Sequence, residues 1–182
     1  MDQSTQGRLL IASPMLSDQN FFRSVIYIAK HDAEGAFGLI MNRPTNLRLE
    51  DVIEQARGRR PDRLDAIYCG GPVEGPLLAL HTAENLGDQC EGGIWLTSDD
   101  DHLMLLCDRP HVPARFFSGY SGWGSGQLEA ELKAGGWMLT PCDPKHLFGD
   151  PDDIWESAVK CCGTAVLQSF VPIAGCVDPE TN

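Results

Sequence analysis

Hydrophobic positions fall in short runs broken by glycine, proline and acidic turns, and most runs are too short for helices. Arg8-Leu9-Leu10-Ile11-Ala12 reads as a buried strand stopped by Pro14. Ser24 to Ala29 is a second strand, rich in β-branched and aromatic residues. The turn residues His31 to Gly35 and a third apolar run, Phe37 to Met41, complete a predicted hairpin, which Asn42-Arg43-Pro44 ends. Leu49, Val52, Ile53 and Ala56 recur at helical spacing. Strands follow at Ala66–Tyr68, Pro76–His81 and Gly93–Thr97, with a tight break at Cys69-Gly70-Gly71-Pro72. Ser98 is placed as the N-cap, and Asp101 as the capping-box acid, of a helix reaching about Cys107. Ala114 to Tyr120 is a further strand, followed by a glycine-rich loop, a helix over 127–134 and a last strand at Trp137–Leu139. Asp143-Pro144 and Asp150-Pro151 each set an N-cap acid before a proline suited to the first helical turn. The second helix carries Ile154, Trp155, Ala158, Val159 and Cys162 on one face, and Gly163 suits its end.

Strands and helices do not alternate regularly, and several successive strands lack a helix between them. This favours α+β, with a mixed, strongly bent sheet, over a doubly wound parallel sheet. With no repeat or linker, residues 1–163 read as a single domain and 164–182 as a C-terminal extension. A chain of 182 residues buries roughly 70% of its unfolded surface in one core.

Net charge narrows the partners. At −12 the chain is repelled by phosphate backbones at long range. Six arginines (43, 48, 57, 59, 60 and 63) lie within 21 positions, but Glu50, Asp51, Glu54 and Asp62 are interspersed and leave that stretch about neutral. A solvated helix-and-loop surface accounts for it better than a nucleic-acid contact. No run of 18 apolar residues suggests a membrane span, and the polar first six residues lack a secretory pattern. The expected compartment is the cytoplasm. Seven cysteines, odd in number and without a C-x-x-C pair, read as reduced thiols, several of them in the core. Cys142 and His146 lack a second ligand pair for zinc.

The densest signal is Ser118-Gly119-Tyr120-Ser121-Gly122-Trp123-Gly124-Ser125-Gly126-Gln127, with four glycines in eight residues. Strand, glycines and helix form a layout that can cradle phosphate. The spacing completes neither phosphate motif: Ser125 stands where a Walker lysine is needed, and Gly122, Gly124 and Gly126 run G-x-G-x-G. Ser121 and Ser125 are not centred in G-x-S-x-G. Asp99-Asp100-Asp101-His102 and Asp150, Asp152 and Asp153 are explained as helix starts, where the dipole favours acids, without a cation. Cys69, Cys142 and the pair Cys161–Cys162 are the thiols whose neighbours could make them reactive.

Several segments in order resemble the YqgE/AlgH family. They are Gly7 to Ala12 with Pro14, Phe22-Arg23-Ser24-Val25 leading to His31, and Gly38 to Pro44. Gly70-Gly71-Pro72-Val73 with His81, the stretch Arg115 to Leu128, and Trp155 continue the series. The resemblance spans about residues 7 to 163 and implies an α+β fold whose bent strands form a partial barrel surrounded by helices. Ser125 replaces the proline usual in the glycine segment, Cys69 and Cys161–Cys162 look particular to this chain, and the tail after Gly163 carries no family pattern. Family members are often labelled transcriptional regulators, a label tied to no biochemical act. This acidic chain shows no helix-turn-helix signature that would support direct DNA binding.

The resulting expectation is a non-enzymatic regulatory or interaction protein, without cofactor or metal, acting on a protein partner or small ligand. Its surface would gather His31, Asn42, Arg43, Gly70, Gly71, Tyr120, Trp123 and Gln127, with Trp123 as the anchor if exposed. The alternatives are a small-molecule or nucleotide-binding enzyme using the glycine-rich loop, and a thiol redox sensor.

Overall fold

In the computed structural model the chain is described over residues 4–13, 16, 18–143 and 147–170, the last seven of them by their backbone alone. Among the described residues ten strands and four helices follow in the order β1 (Arg8–Ala12), β2 (Val25–Asp32), β3 (Gly35–Ile40), β4 (Pro44–Arg48), α1 (Leu49–Arg57), β5 (Ala66–Cys69), β6 (Val73–His81), β7 (Asp88–Gln89), β8 (Trp95–Thr97), α2 (Asp100–Cys107), β9 (Ala114–Gly124), α3 (Gln127–Lys133), β10 (Trp137–Pro141) and α4 (Pro151–Phe170). Short 3-10 turns lie at Gln19–Phe21 and Glu91–Gly93. Sheet order is β10-β1-β2-β3-β9-β6-β8-β7, with β5 on β9 and β4 on β5. Every pairing is antiparallel except β5 with β9, so the sheet is mixed, and it curls into a half-barrel.

Strand alternation sends successive side chains to opposite faces, so the curled sheet has two faces to pack. Leu9, Ile11, Val25, Tyr27, Ala29, Leu39, Leu78, Leu80 and Phe117 meet in one cluster that spans the sheet and is closed by Ile154, Ala158 and Cys162 of α4. The alternate residues divide into two clusters on the other face. Leu10, Ile26, Ile28 and Ile40 pack with Trp123, Trp137 and Leu128 of α3. Ile67, Ala79 and Phe116 pack with Leu49 and Ile53 of α1 and with Leu103 and Leu106 of α2. Each helix therefore covers a defined patch, which is why a period-2 sheet here still needs amphipathic helices.

Four sequence expectations need correction. The glycine-rich stretch is not a loop: β9 continues through it to Gly124, and only Ser125-Gly126 turn before α3. Strand pairing on both edges supplies the order that local glycine content withholds. The α2 N-cap is Asp99, not Ser98; its carboxylate accepts from the Asp101 N–H at 3.0 Å and the His102 N–H at 3.1 Å. Gly163 does not end α4, which runs on to Phe170; a solvent-facing helical glycine costs only about 1 kcal/mol. His31 and Asp32 belong to β2, so the hairpin turn is confined to Ala33 and Glu34. The strand β4 has no apolar alternation to announce it and sits at an edge, beginning with a proline as edge strands allow. The predicted stop at Pro14 and cap before Pro144 fall outside the described residues.

The glycines of the signature are needed at one junction. β6 lines one edge of β9, while the other edge is shared by β5, over Phe116–Ser118, and β3, over Ser121–Gly124. Gly70 stands where the two meet. Its N–H donates to Ser118 O at 3.0 Å, and its carbonyl accepts from Ile40 N at 2.9 Å and from Ser121 Oγ at 3.1 Å. A Cβ on Gly70 would lie 2.2 Å from Gly119 O. Gly119 itself has φ +75°, with Gly71 O and Val73 O 2.8 Å from where its Cβ would be. Gly70→Ala is therefore expected to cost about 3 kcal/mol or more, since backbone must move. Gly126→Ala, at φ +72° in open space, should cost about 1–2 kcal/mol. Urea unfolding of the two variants compares them, and equal losses would show that the junction is not tight.

Candidate functional site

The eight residues expected to form one surface are distributed over three places. At the first, His31 and α3 are locked together. His31 is 6% exposed at its side chain; Nδ1 lies 3.0 Å from both the N–H and the hydroxyl of Thr5, and Nε2 lies 3.0 Å from a carboxylate oxygen of Glu129. Nδ1 must accept from the Thr5 amide, so the proton sits on Nε2 and is donated to Glu129. Gln127 accepts from the Gly124 N–H at 3.1 Å and donates to Glu131 at 2.9 Å. Trp123 is 6% exposed, so the expected surface anchor is a core residue. Its indole N–H donates to Glu131 Oε2 at 2.9 Å, and that oxygen also accepts the Trp137 indole N–H at 2.8 Å. The two indoles meet edge to face at 6.0 Å.

The second place is the strand junction, where Gly70 and Gly71 lie against Gly119 and Tyr120. The Tyr120 ring stacks on Phe37 at 4.9 Å. The third place holds Asn42 and Arg43. Asn42 bridges strands, accepting from Val25 N and donating to Arg23 O, both at 2.9 Å. Arg43 donates to the carbonyls of Asn20 and Phe22. Both residues line a cleft of about 430 Å³, whose other walls are Phe22, Arg23, Pro151, Asp152, Trp155 and Glu156.

Within the cleft, the Arg23 guanidinium lies 4.3 Å from the centre of the Trp155 ring, a cation–π contact. Arg23 has φ +51°. A non-glycine residue in that region stores roughly 1–3 kcal/mol and needs its surroundings to hold it. The restraint comes from Asn42 on its carbonyl and from a neighbouring turn capped by Asp18, which accepts from Asn20 N at 2.9 Å. Asp152 and Glu156, four residues apart on α4, face the cleft with Trp155 between them. Phe22, 73% exposed, forms the lip. The Trp155 indole N–H is buried and has no hydrogen-bond partner among the described residues. Sequence reading placed Trp155 on the apolar face of its helix and did not single out Arg23, Asp152 or Glu156 as binding groups. The left-handed conformation of Arg23 and the approach of α4 carry no local signal.

The alternative chemistries meet a different geometry. The Ser121 hydroxyl is buried and donates to Gly70 O, and the Ser125 hydroxyl donates to Ala33 O at 2.7 Å. Burial pushes the thiols of Cys90 and Cys107 up to about 11 and that of Cys142 up to about 12, and raises that of Cys162 as well. Such groups stay protonated and weakly nucleophilic at neutral pH. In the arginine-rich stretch, Arg48, Arg57, Arg59, Arg60 and Arg63 each bond to a carboxylate, of Glu50, Asp100, Asp108, Glu54 and Asp65 respectively. No helix among the described residues is long and apolar enough to cross a membrane.

His81 stands apart from all three places. It is fully buried, and neither ring nitrogen has a hydrogen-bond partner among the described residues. Burial lowers its pKa to about 4, although the nearby carbonyls of Leu86 and Ala83 pull the other way. The folded state thus binds fewer protons than the unfolded chain between pH 6.5 and 4. Stability should be full above pH 6.5 and decline as the pH falls through that window. His81→Leu is expected to flatten the decline between pH 7 and 5 in urea titrations. At pH 7.5 it should be neutral or stabilising by about 1 kcal/mol; a marked loss there would mean that the ring nitrogens are partnered.

Comparison with known proteins matches the chain to the AlgH-like family over residues 9–167. A UPF0301 protein of Ruegeria pomeroyi is 40% identical over 177 residues, covering 88% of this chain and 93% of that protein. A UPF0301 protein of Stutzerimonas stutzeri is 40% identical, covering 79% and 80%. The solution structure of the AlgH protein from Pseudomonas aeruginosa superposes with a TM-score of 0.73 at 32% identity, over 96% of this chain and 97% of that one. A Corynebacterium diphtheriae protein shares the fold at a TM-score of 0.67 and 21% identity, over 95% and 90%. The extent of these matches, together with the curled mixed sheet they share, shows that this chain belongs to the AlgH-like, UPF0301 family.

Proposed function

We propose that the protein is a non-enzymatic, cytoplasmic interaction protein of regulatory type, and that its recognition surface is the cleft built on Asn42 and Arg43. The occupant is a small molecule or peptide segment that carries charges of both signs beside an apolar group. The observation that carries this reading is Arg23, held in a strained conformation with its guanidinium over Trp155 at the mouth of the cleft. Strain of this kind persists where neighbours over-determine it, and it recurs at ligand clamps. Arg23 supplies a cation with a fixed position, Asp152 and Glu156 supply anions across from it, and Phe22 and Trp155 supply apolar area. Arg43 has a different part: its guanidinium is spent on Asn20 and Phe22 carbonyls and braces the rim. His31, Trp123 and Gln127 support the fold around α3 in this reading and do not touch the occupant. Readings that need Ser121, Ser125 or a buried thiol as a reactive group have less support, because those hydroxyls are engaged and the buried thiols are held protonated.

The test is a titration of ¹⁵N-labelled protein with a panel of free amino acids and dipeptides, including aromatic ones. Saturable shifts are expected at Arg23, Asn42 and the Trp155 indole N–H, with an affinity weakened about tenfold or more by Arg23→Ala. That loss corresponds to removal of one charge-assisted contact. Absence of any saturable shift at these positions up to about 10 mM, an affinity of roughly −3 kcal/mol, would sink the proposal.

A further inference from the structure

A second cavity, of about 170 Å³, lies on the far side of the turn that leads into α4. Its walls include Asp65, Ala66 and Tyr68 around β5, Arg115 at the start of β9, and Phe148 and Gly149. Arg115 is 5% exposed. Its guanidinium lies 4.3 Å from the centre of the Tyr68 ring and donates to two carbonyls, Met41 O and Gly149 O, each at 2.5 Å. Buried charges are ordinarily paired with an opposite charge, because desolvation costs several kcal/mol per ion. Among the described residues no carboxylate bonds to Arg115. The two acids whose fields reach Arg115 are committed elsewhere: Asp65 accepts from Arg63 at 2.7 Å, and Asp150 caps α4 through Asp152 N at 2.9 Å. Burial lowers the Arg115 pKa, and the fields of Tyr68, Asp65 and Asp150 oppose that shift.

A guanidinium has five N–H donors in a planar fork, and two carbonyl bonds leave part of the fork free for another acceptor. The volume admits a group of a few heavy atoms. Asp65 also lines the cavity, but its charge is matched by Arg63, so the local field is set by Arg115. We propose that this cavity binds a compact oxyanion, a carboxylate or phosphate group, on the buried guanidinium of Arg115. The two carbonyl bonds and the Tyr68 ring hold the fork in place before the anion arrives, so little side-chain entropy is lost on binding. Nothing in this proposal depends on the occupant of the Arg23 cleft.

The experiment is thermal unfolding of the full chain in sodium phosphate, sodium acetate and sodium chloride at one pH and one ionic strength. Amide shifts of Ala66, Tyr68, Arg115 and Gly149 are followed in parallel. At tenfold excess over Kd the midpoint should rise by about 3–6 °C in phosphate or acetate relative to chloride. The more effective of the two anions identifies which group the site takes. Arg115→Met should abolish the rise. Because that substitution also removes two internal bonds, Ala66→Leu serves as a second variant that fills the cavity and keeps the guanidinium; it should abolish the rise as well. Arg23→Ala should retain it. The proposal is overturned if neither anion exceeds chloride, if the rise survives Ala66→Leu, or if it disappears in Arg23→Ala, which would place the anion in the cleft.

Discussion

Strand β9 is hydrogen-bonded along both edges, and the exchange of β5 for β3 along one of them organises the molecule. The exchange takes place within the length of one residue, Gly70, whose N–H and carbonyl bond to different strands. Any Cβ there would collide with Gly119 O. With the junction closed, Phe116 and Phe117 point to opposite faces and enter different clusters, so β9 takes part in building all of the core. Trp123, at its far end, completes the third cluster under α3. At Gly70, Gly71 and Gly119 the glycines are thus a backbone-packing device, required where strands crowd β9, while Gly126 serves the left-handed turn into α3.

The same arrangement positions the clefts. Met41, Asn42 and Arg43 follow β3, beside the turn that brings Phe22 and Arg23 forward. The turn Phe148–Pro151 lies between the two cavities, with Pro151 in the wall of one and Gly149 in the wall of the other. Arg115 ties this turn to the end of β3 through its two carbonyl bonds. A single buried side chain therefore joins β3, β9 and the entry to α4, and the helix that closes the core also forms a wall of the larger cleft.

Polar groups divide by task in a way their sequence context does not announce. Glu131 receives two indole N–H groups and the Gln127 amide. His31 joins the N-terminal segment to α3. These are structural roles for residues of types that commonly do chemistry. Asp152, Trp155 and Glu156 of the larger cleft, by contrast, sit in a stretch that reads as an ordinary helix start. Residue type and spacing identify groups able to act, but whether they face a cavity or one another depends on contacts tens of residues apart.

The sequence by itself determined the order of most strands and helices, the α+β class and the family. The elements and the class rest on local alternation, helical spacing and caps, which are properties of neighbouring residues, and the family rests on the resemblance of motifs that recur in order along the chain. It also located the special backbone around Gly70-Gly71 and Gly119, since glycine at such density has few other uses. It missed β4, whose polar residues are held as a strand by β5, and it took the end of β9 for a loop because order there comes from β3. Tertiary structure alone decided that Trp123 is buried, that Asn42 and Arg43 share a cleft with Arg23 and Trp155, and that Arg115 is enclosed with no bonded carboxylate among the described residues. Each of those outcomes depends on which segments approach through space, and the energies that bring them together are long-range burial and strand pairing, which no window along the chain contains.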